Sequence, residues 1–254
     1  MPEADVRILL LDIEGTTTPI DFVYKVLFPY ARRHVREFVE IHANDLLAEI
    51  NGLKAEHRAD NEHGNNPPVW RESSSDLLLD SIAEYFNWLM DLDRKSTSLK
   101  ALQGKIWEAG YLSGRLRSEV YPDLPPAFAR WRDQGRQIYI YSSGSVLAQK
   151  LLFAHTTNGD LSESISGYFD TTTGAKKASS SYQSIAANIG RPAREVLFIS
   201  DVTGELDAAR SAEMQTILCM RPGNAEAQSE THRAVDTFDV VLPNLQRKLL
   251  VCDE

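Results

Sequence analysis

The sequence predicts an α/β fold: a doubly wound parallel-sheet core interrupted by an inserted, all-helical cap domain. Two observations carry that prediction. From Tyr121 onward, short apolar runs of strand length alternate with helical patterns, which is the rhythm of a parallel sheet with helices on both faces. Ahead of it, from Phe22 to Trp107, apolar residues recur only at helical spacing. The division places residues 1–19 and 120–254 in the core and 20–119 in the insertion.

Each element follows from its local pattern. Val6 to Leu11 is apolar but for Arg7 and stops at Asp12, before Gly15 and a run of threonines. That is a buried strand opening into a loop. Phe22, Val23, Val26, Leu27, Tyr30, Val35, Phe38 and Val39 mark a first helical stretch. Leu78, Ile82, Phe86, Leu89 and Met90 mark a second, and Leu99 to Trp107 a third. Between the first two, Glu56 to Ser75 is polar and carries Pro67-Pro68, so it reads as a loop. Pro122, Asp123, Pro125 and Pro126 introduce a helix around Phe128 to Arg132, closed by Gly135. Gln137 to Tyr141 is a strand ended by Ser142-Ser143-Gly144, and a helix from Val146 to about Ala154 follows. Tyr182 to Ile189 is helical, Val196 to Ser200 is a strand ending at Asp201, and a helix begins near Glu205. Thr216 to Met220 and Val240-Val241 complete the expected strands.

Composition excludes several functions. The chain has 254 residues, 43% hydrophobic and 25% charged, which is enough to form a core without disulfides or a structural metal. No apolar run approaches the ~20 residues needed to span a bilayer, and no secretory signal is expected. Cys219 and Cys252 are too few for a zinc site, nothing indicates a disulfide between them, and sparing cysteine use suits a reducing, cytoplasmic location. With 27 basic against 36 acidic residues the net charge is −9, and no basic stripe is visible, so neither nucleic acid nor membrane is an expected partner. The six histidines show no metal-ligand spacing, and most are expected on the surface.

In open parallel sheets, ligands bind beyond the carboxyl ends of the strands. Three strands here end in reactive groups: Asp12, the pair Ser142 and Ser143, and Asp201. Lys176 lies in the loop segment Thr173-Gly174-Ala175-Lys176-Lys177. Singly, each has a plainer reading as a turn, a cap or a solvated lysine. As an ordered set they suit phosphoryl transfer, which needs a nucleophile, a divalent cation and donors around the phosphoryl oxygens. Asp12 would be the nucleophile. Mg²⁺ would bridge Asp12 and Asp201, and Ser142 and Lys176 would hold the phosphate. Glu14, two residues beyond Asp12, would handle protons. Glu205 and Asp207 read first as acids suited to a helix N-terminus, and only second as support for the metal.

Asp12-Ile13-Glu14-Gly15-Thr16-Thr17, Tyr141-Ser142-Ser143-Gly144-Ser145, Gly174-Ala175-Lys176 and Ser200-Asp201 together resemble the motifs of the haloacid-dehalogenase-like phosphatases. Glutamate at position 14, where most relatives carry aspartate, is similar to the enolase-phosphatases of methionine salvage (acireductone synthases). Pro19-Ile20-Asp21-Phe22-Val23, Gly110-Tyr111 with Gly114, and Val120-Tyr121-Pro122-Asp123 extend that likeness along the chain.

The resemblance implies a Mg²⁺-dependent enzyme that enolises 5-methylthio-2,3-dioxopentyl phosphate and then removes its phosphate, giving 1,2-dihydroxy-5-(methylthio)pent-1-en-3-one. It implies metal ligation by the side chains of Asp12 and Asp201 and by the backbone carbonyl of Glu14, and substrate binding by Ser142, Ser143 and Lys176. It also implies a cap that closes over the substrate, and a monomer. Lys176 rather than Lys177 is the expected ligand, standing two residues after Gly174. Two other readings stay open: a plain phosphomonoesterase of the same superfamily, and a phospho-accepting regulatory domain in which Asp12 holds phosphate as a signal.

Overall fold

The computed structural model describes residues 5–223 and 231–244. The chain divides into two compact units, one of Met1–Pro19, Val120–Ser143 and Asn158–Glu254, the other of Ile20–Glu119 and Gly144–Thr157.

Among the described residues of the first unit, six strands form a wholly parallel sheet: β1 (Ile8–Leu11), β2 (Gln137–Tyr141), β3 (Gly167–Phe169), β4 (Val196–Ser200), β5 (Gln215–Cys219) and β6 (Arg233–Val235). Their order is β3-β2-β1-β4-β5-β6. The central strands β1 and β4 are buried at every position, as expected where helices cover both faces. On one face Ile8, Leu10, Val196 and Phe198 pack against Tyr182 and Ile185 of α8 (Ser179–Ile189) and Leu206 and Ala209 of α9 (Thr203–Ser211). Each large apolar side chain so buried contributes about 1.5–3 kcal/mol. The helix α6 (Leu124–Asp133) precedes β2; prolines lie in its first turn, and Trp131 is fully buried.

Register sets the position of the chemistry. Leu11 pairs with Ile140 on one side and Ile199 on the other. Asp12 therefore comes level with Tyr141 and Ser200, and Ser142 and Asp201 follow one residue further along the same rim.

The second unit is helical: α1 (Ile20–Phe22), a π-helical turn (Val23–Leu27), α2 (Phe28–His42), α3 (Leu47–Glu62), α4 (Ser75–Asp91), α5 (Thr97–Leu112) and α7 (Val146–Ala154). Serine side chains cap α4, α5 and α7: Ser74, Ser96 and Ser145 accept from the backbone N–H groups of Leu77, Leu99 and Ala148. Residues 144–157 follow β2 in the chain yet pack with these helices, α7 lying against α5.

Two expectations are corrected. Glu56 to Glu62 is not loop but the last part of α3. Its buried positions are Leu53, His57 and Asp60, a helical face that is polar at two of three places and so escapes an apolar-periodicity reading. Val240-Val241 is not a strand: Phe238–Val240 is a 3₁₀ turn, and the edge strand is the preceding Arg233–Val235. Cys219 is a free, buried thiol, and Cys252 lies outside the described residues. Two histidines, His57 and His232, are buried and hydrogen-bonded rather than surface-lying.

Asp60 is the keystone of the helical unit's polar interior. It accepts from Tyr85 Oη at 2.7 Å and Asn65 Nδ2 at 2.8 Å, and it pairs with Arg94. Burial alone would raise its pKa, but the Tyr85 and Arg94 bonds outweigh it and hold the carboxyl below its ordinary value. A depressed carboxyl stabilises the fold above its unfolded pKa and loses that contribution as pH falls through the folded one. Asp60→Asn is thus expected to cost about 1.5–3 kcal/mol near neutrality. Its deficit relative to wild type should shrink as pH falls toward 3, which urea titrations at several pH values will measure.

Candidate active site

The loop after β1 is built to hold Asp12 rigidly. The Asp12 N–H continues the sheet by donating to Ile199 O at 3.0 Å. The Ile13 carbonyl then accepts from the N–H groups of Thr16, Thr17 and Thr18. Thr17 Oγ1 donates to Asp12 O at 3.1 Å, and all three threonines are fully buried. Gly15 supplies the left-handed conformation (φ +73°) this tight turn demands.

Lys176 faces Asp12. Its Nζ stands 2.5 Å from Asp12 Oδ1 and 2.8 Å from Glu205 Oε2, with its side chain 10% exposed. Ser200, the last residue of β4, places its Oγ 3.1 Å from Glu205 Oε2 and 3.4 Å from Asp12 Oδ2. Ser142 Oγ donates to Glu14 Oε2 at 3.3 Å. The Ser142 N–H donates to Phe169 O at 3.2 Å. Ser143 and Lys177 are exposed, while Asp201 is half-buried directly after Ser200.

The electrostatics are those of crowded carboxylates. Burial raises the pKa of Asp201 to about 7, and the charge of Asp12 adds to it. Glu205 is likewise pushed to about 7 by burial and then by Asp12. Glu14 is raised by the same two causes in the same order. Burial opposes the charge of Lys176, but Asp12 and Glu205 outweigh it and hold the ammonium well above its ordinary value. One ammonium thus serves Asp12, Glu14, Asp201 and Glu205, leaving a negative, hard-oxygen cluster whose chemical complement is a small divalent cation. Among the described residues no group of three His, Cys, Asp or Glu side chains is arranged to hold a metal ion by itself.

Two buried charged groups carry more weight in the structure than in the sequence reading: Glu205, for which the helix-terminal reading came first, and Arg221, which was not singled out. Glu205, read as a helix-terminal acid, is buried and bonded to Lys176; its neighbour Asp207 is exposed and pairs with His232. Burial is the difference: Glu205 lies in the first turn of α9, just beyond the end of β4. Arg221 is 3% exposed in its side chain and pairs with Asp123 at 2.7 Å. Its Nε donates to Thr16 O at 3.1 Å, and its guanidinium lies 4.3 Å from the ring centroids of both Tyr121 and Phe238. It ties the loop after β1, through the Thr16 carbonyl, to Asp123. In sequence it is only an arginine beyond a strand.

Comparisons with known proteins agree on the family. A family model described as haloacid dehalogenase-like hydrolase matches residues 6–213. "Enolase-phosphatase E1" of Synechococcus elongatus is 48% identical over 233 residues, covering 91% of this chain and 95% of the relative. The protein of the same name from Danio rerio is 41% identical and covers 94% and 95%. Among solved structures, UTR4 protein of Saccharomyces cerevisiae aligns with TM-score 0.75 and 34% identity, over 93% of this chain and 100% of that one. CbbY of Rhodobacter sphaeroides, solved with xylulose-(1,5)bisphosphate, shares the fold at TM-score 0.53 and 14% identity, over 94% and 97%.

Proposed function

The chain belongs to the haloacid dehalogenase-like hydrolase family, and from that membership we propose that it is an enolase-phosphatase of methionine salvage, acting on 5-methylthio-2,3-dioxopentyl phosphate. The likeness to enolase-phosphatases over nine-tenths of the chain supports that choice within the family. The structural observation that supports it most is the Asp12–Lys176–Glu205 contact set at the strand rim, with Glu14 beside it on Ser142.

The chemistry proceeds in two stages. The carbon bearing the phosphate ester is α to a ketone, so its proton is acidified. Glu14, whose carboxyl pKa is raised by burial and by the charge of Asp12, is suited to take that proton and later return it. The electrons move into the carbonyl, and the proton that Glu14 returns to that oxygen completes the enol. Asp12 Oδ then attacks phosphorus, the bond from phosphorus to the ester oxygen breaks, and that oxygen takes a proton from solvent. Water hydrolyses the resulting aspartyl phosphate, freeing inorganic phosphate and restoring the carboxylate. Lys176 and the Ser142 hydroxyl, with Ser143 at the mouth, bind the phosphoryl oxygens. Mg²⁺ would be held by Asp12 and Asp201 side chains and the Glu14 carbonyl, with Glu205 beside them; bound there, it neutralises charge between the phosphate and the carboxylates. Residues 20–119 act as the cap domain of this enzyme, and 1–19 with 120–254 as its catalytic core.

The test is incubation of the full chain with the diketone phosphate and Mg²⁺, following enol absorbance and free phosphate separately. Enol absorbance rising before phosphate is the expected result. Phosphate release from this and unrelated esters with no enol signal would instead indicate a plain phosphomonoesterase. Glu14→Gln should slow enol formation by about 10²–10⁴-fold, the usual worth of a general base. Full rates of both steps in that variant defeat the assignment.

A further inference from the structure

The loop that carries Lys176 is held by three buried hydroxyls on three successive carbonyls. Tyr141 Oη donates to Gly174 O at 3.0 Å, Ser181 Oγ to Ala175 O at 2.8 Å, and Tyr182 Oη to Lys176 O at 2.7 Å. All three donors are at most 2% exposed. They come from two elements: Tyr141 ends β2 immediately before Ser142, and Ser181 and Tyr182 lie in the first turn of α8. The Tyr141 and Tyr182 rings pack edge to face at 5.6 Å, and Tyr182 packs on Phe198 of β4 at 5.1 Å, so the donors are themselves fixed. Gly174 has φ +146°, and a Cβ there would come within 2.3 Å of Ser181 Oγ. The loop has been pressed onto its donors as closely as a backbone allows.

A lysine needs such support. Its four-carbon stem has many rotamers, and its ammonium is useful only where it meets both the nucleophile and the ligand. We propose that Tyr182, with Tyr141 and Ser181, is a positioning residue for phosphate binding: these hydroxyls fix the Gly174–Lys176 backbone so that Nζ is delivered to Asp12 and to the phosphoryl oxygens. The proposal rests on the reading of Lys176 as a phosphate ligand. The Tyr182 hydroxyl donates to the Lys176 carbonyl and acts through that residue.

The experiment compares wild type, Tyr182→Phe, Ser181→Ala and Lys176→Met, with Tyr85→Phe as a control that loses a buried hydroxyl in the helical unit. Two quantities are read on folded protein: affinity for inorganic phosphate in the presence of Mg²⁺, and the rate at which an amine-acylating reagent labels Lys176, located by peptide mass. In Tyr182→Phe, phosphate affinity should fall about 5- to 10-fold and Lys176 labelling should rise several-fold, as expected for loss of one buried hydrogen bond. Ser181→Ala should move both the same way, and covers the case in which Tyr182→Phe folds poorly. Tyr85→Phe should lower the melting temperature and move neither. Unchanged labelling in both loop variants overturns the clamp, as does an equal change in Tyr85→Phe. Unchanged phosphate affinity in Lys176→Met defeats the phosphate assignment and the proposal built on it, whereas the labelling result tests the clamp's geometry separately.

Discussion

Asparagine in place of Asp12 is expected to stop phosphate release, lowering its rate by about four orders of magnitude or more, the loss usual when a covalent nucleophile is removed. The amide is nearly isosteric but cannot attack phosphorus. Its effect on the fold should be the opposite of its effect on activity. Asp12's charge raises the pKa of Glu14, Asp201 and Glu205, so the neutral amide relieves each of them. Lys176 keeps Glu205 as its partner at 2.8 Å. The variant should therefore melt no lower than wild type, and enol formation should survive in part, because Asp12 takes no part in proton abstraction. Separate assays of enol and phosphate, with a thermal melt, check all three points. Phosphate release within tenfold of wild type would remove Asp12 from the chemistry.

Lys176→Met should damage both fold and function. The methionine fills the volume but leaves the surrounding carboxylates without their cation. Removing one partner of a buried charge pair costs about 3–5 kcal/mol. Phosphate release should fall by about 10²–10³-fold with loss of one transition-state donor. The pH dependence has a definite sign. Asp201 and Glu205 already titrate near 7 in the fold, above their ordinary range, so the folded state binds more protons than the unfolded one. Metal-free wild type should lose stability as pH rises from about 4 to about 7 and level off beyond. Without the ammonium these acids rise further, so Lys176→Met should show a steeper loss extending to higher pH. Added Mg²⁺ should flatten both curves. Melting temperatures between pH 5 and 8, with and without Mg²⁺, decide this. A variant as stable as wild type at pH 8 contradicts the charge argument.

What the sequence revealed and what it hid have physical causes. The central strands were legible because burial on both faces demands unbroken apolar runs, as in Ile8–Leu11 and Val196–Ser200. The register of those strands brings Asp12, Ser142 and Asp201 to one rim, and the polar residue ending each apolar run was the visible mark of it. Lys176 stood out from Lys177 only through the spacing from Gly174. The structure buries the first and exposes the second. β3 (Gly167–Phe169) was missed because it is three residues long and half-buried throughout, too short for alternation to register. α3 was misjudged in its second half because its inward face uses His57 and Asp60. Glu205 was ranked first as a helix-terminal acid and Arg221 was passed over because their settings depend on burial, which no single-residue pattern conveys. Both are charged groups held inside by partners distant in the chain: Lys176 for one, Asp123 and the Thr16 carbonyl for the other.

The most direct test is to catch the phosphoryl group on the protein. Enzyme mixed with excess diketone phosphate and Mg²⁺, quenched in acid within the first turnover and digested, should carry one added phosphoryl group on the peptide containing Asp12, and none in Asp12→Asn. Phosphate released in that turnover with no phosphorylated peptide, or with the group on any other residue, would contradict the account of Asp12 as the nucleophile that Lys176 and Glu205 surround.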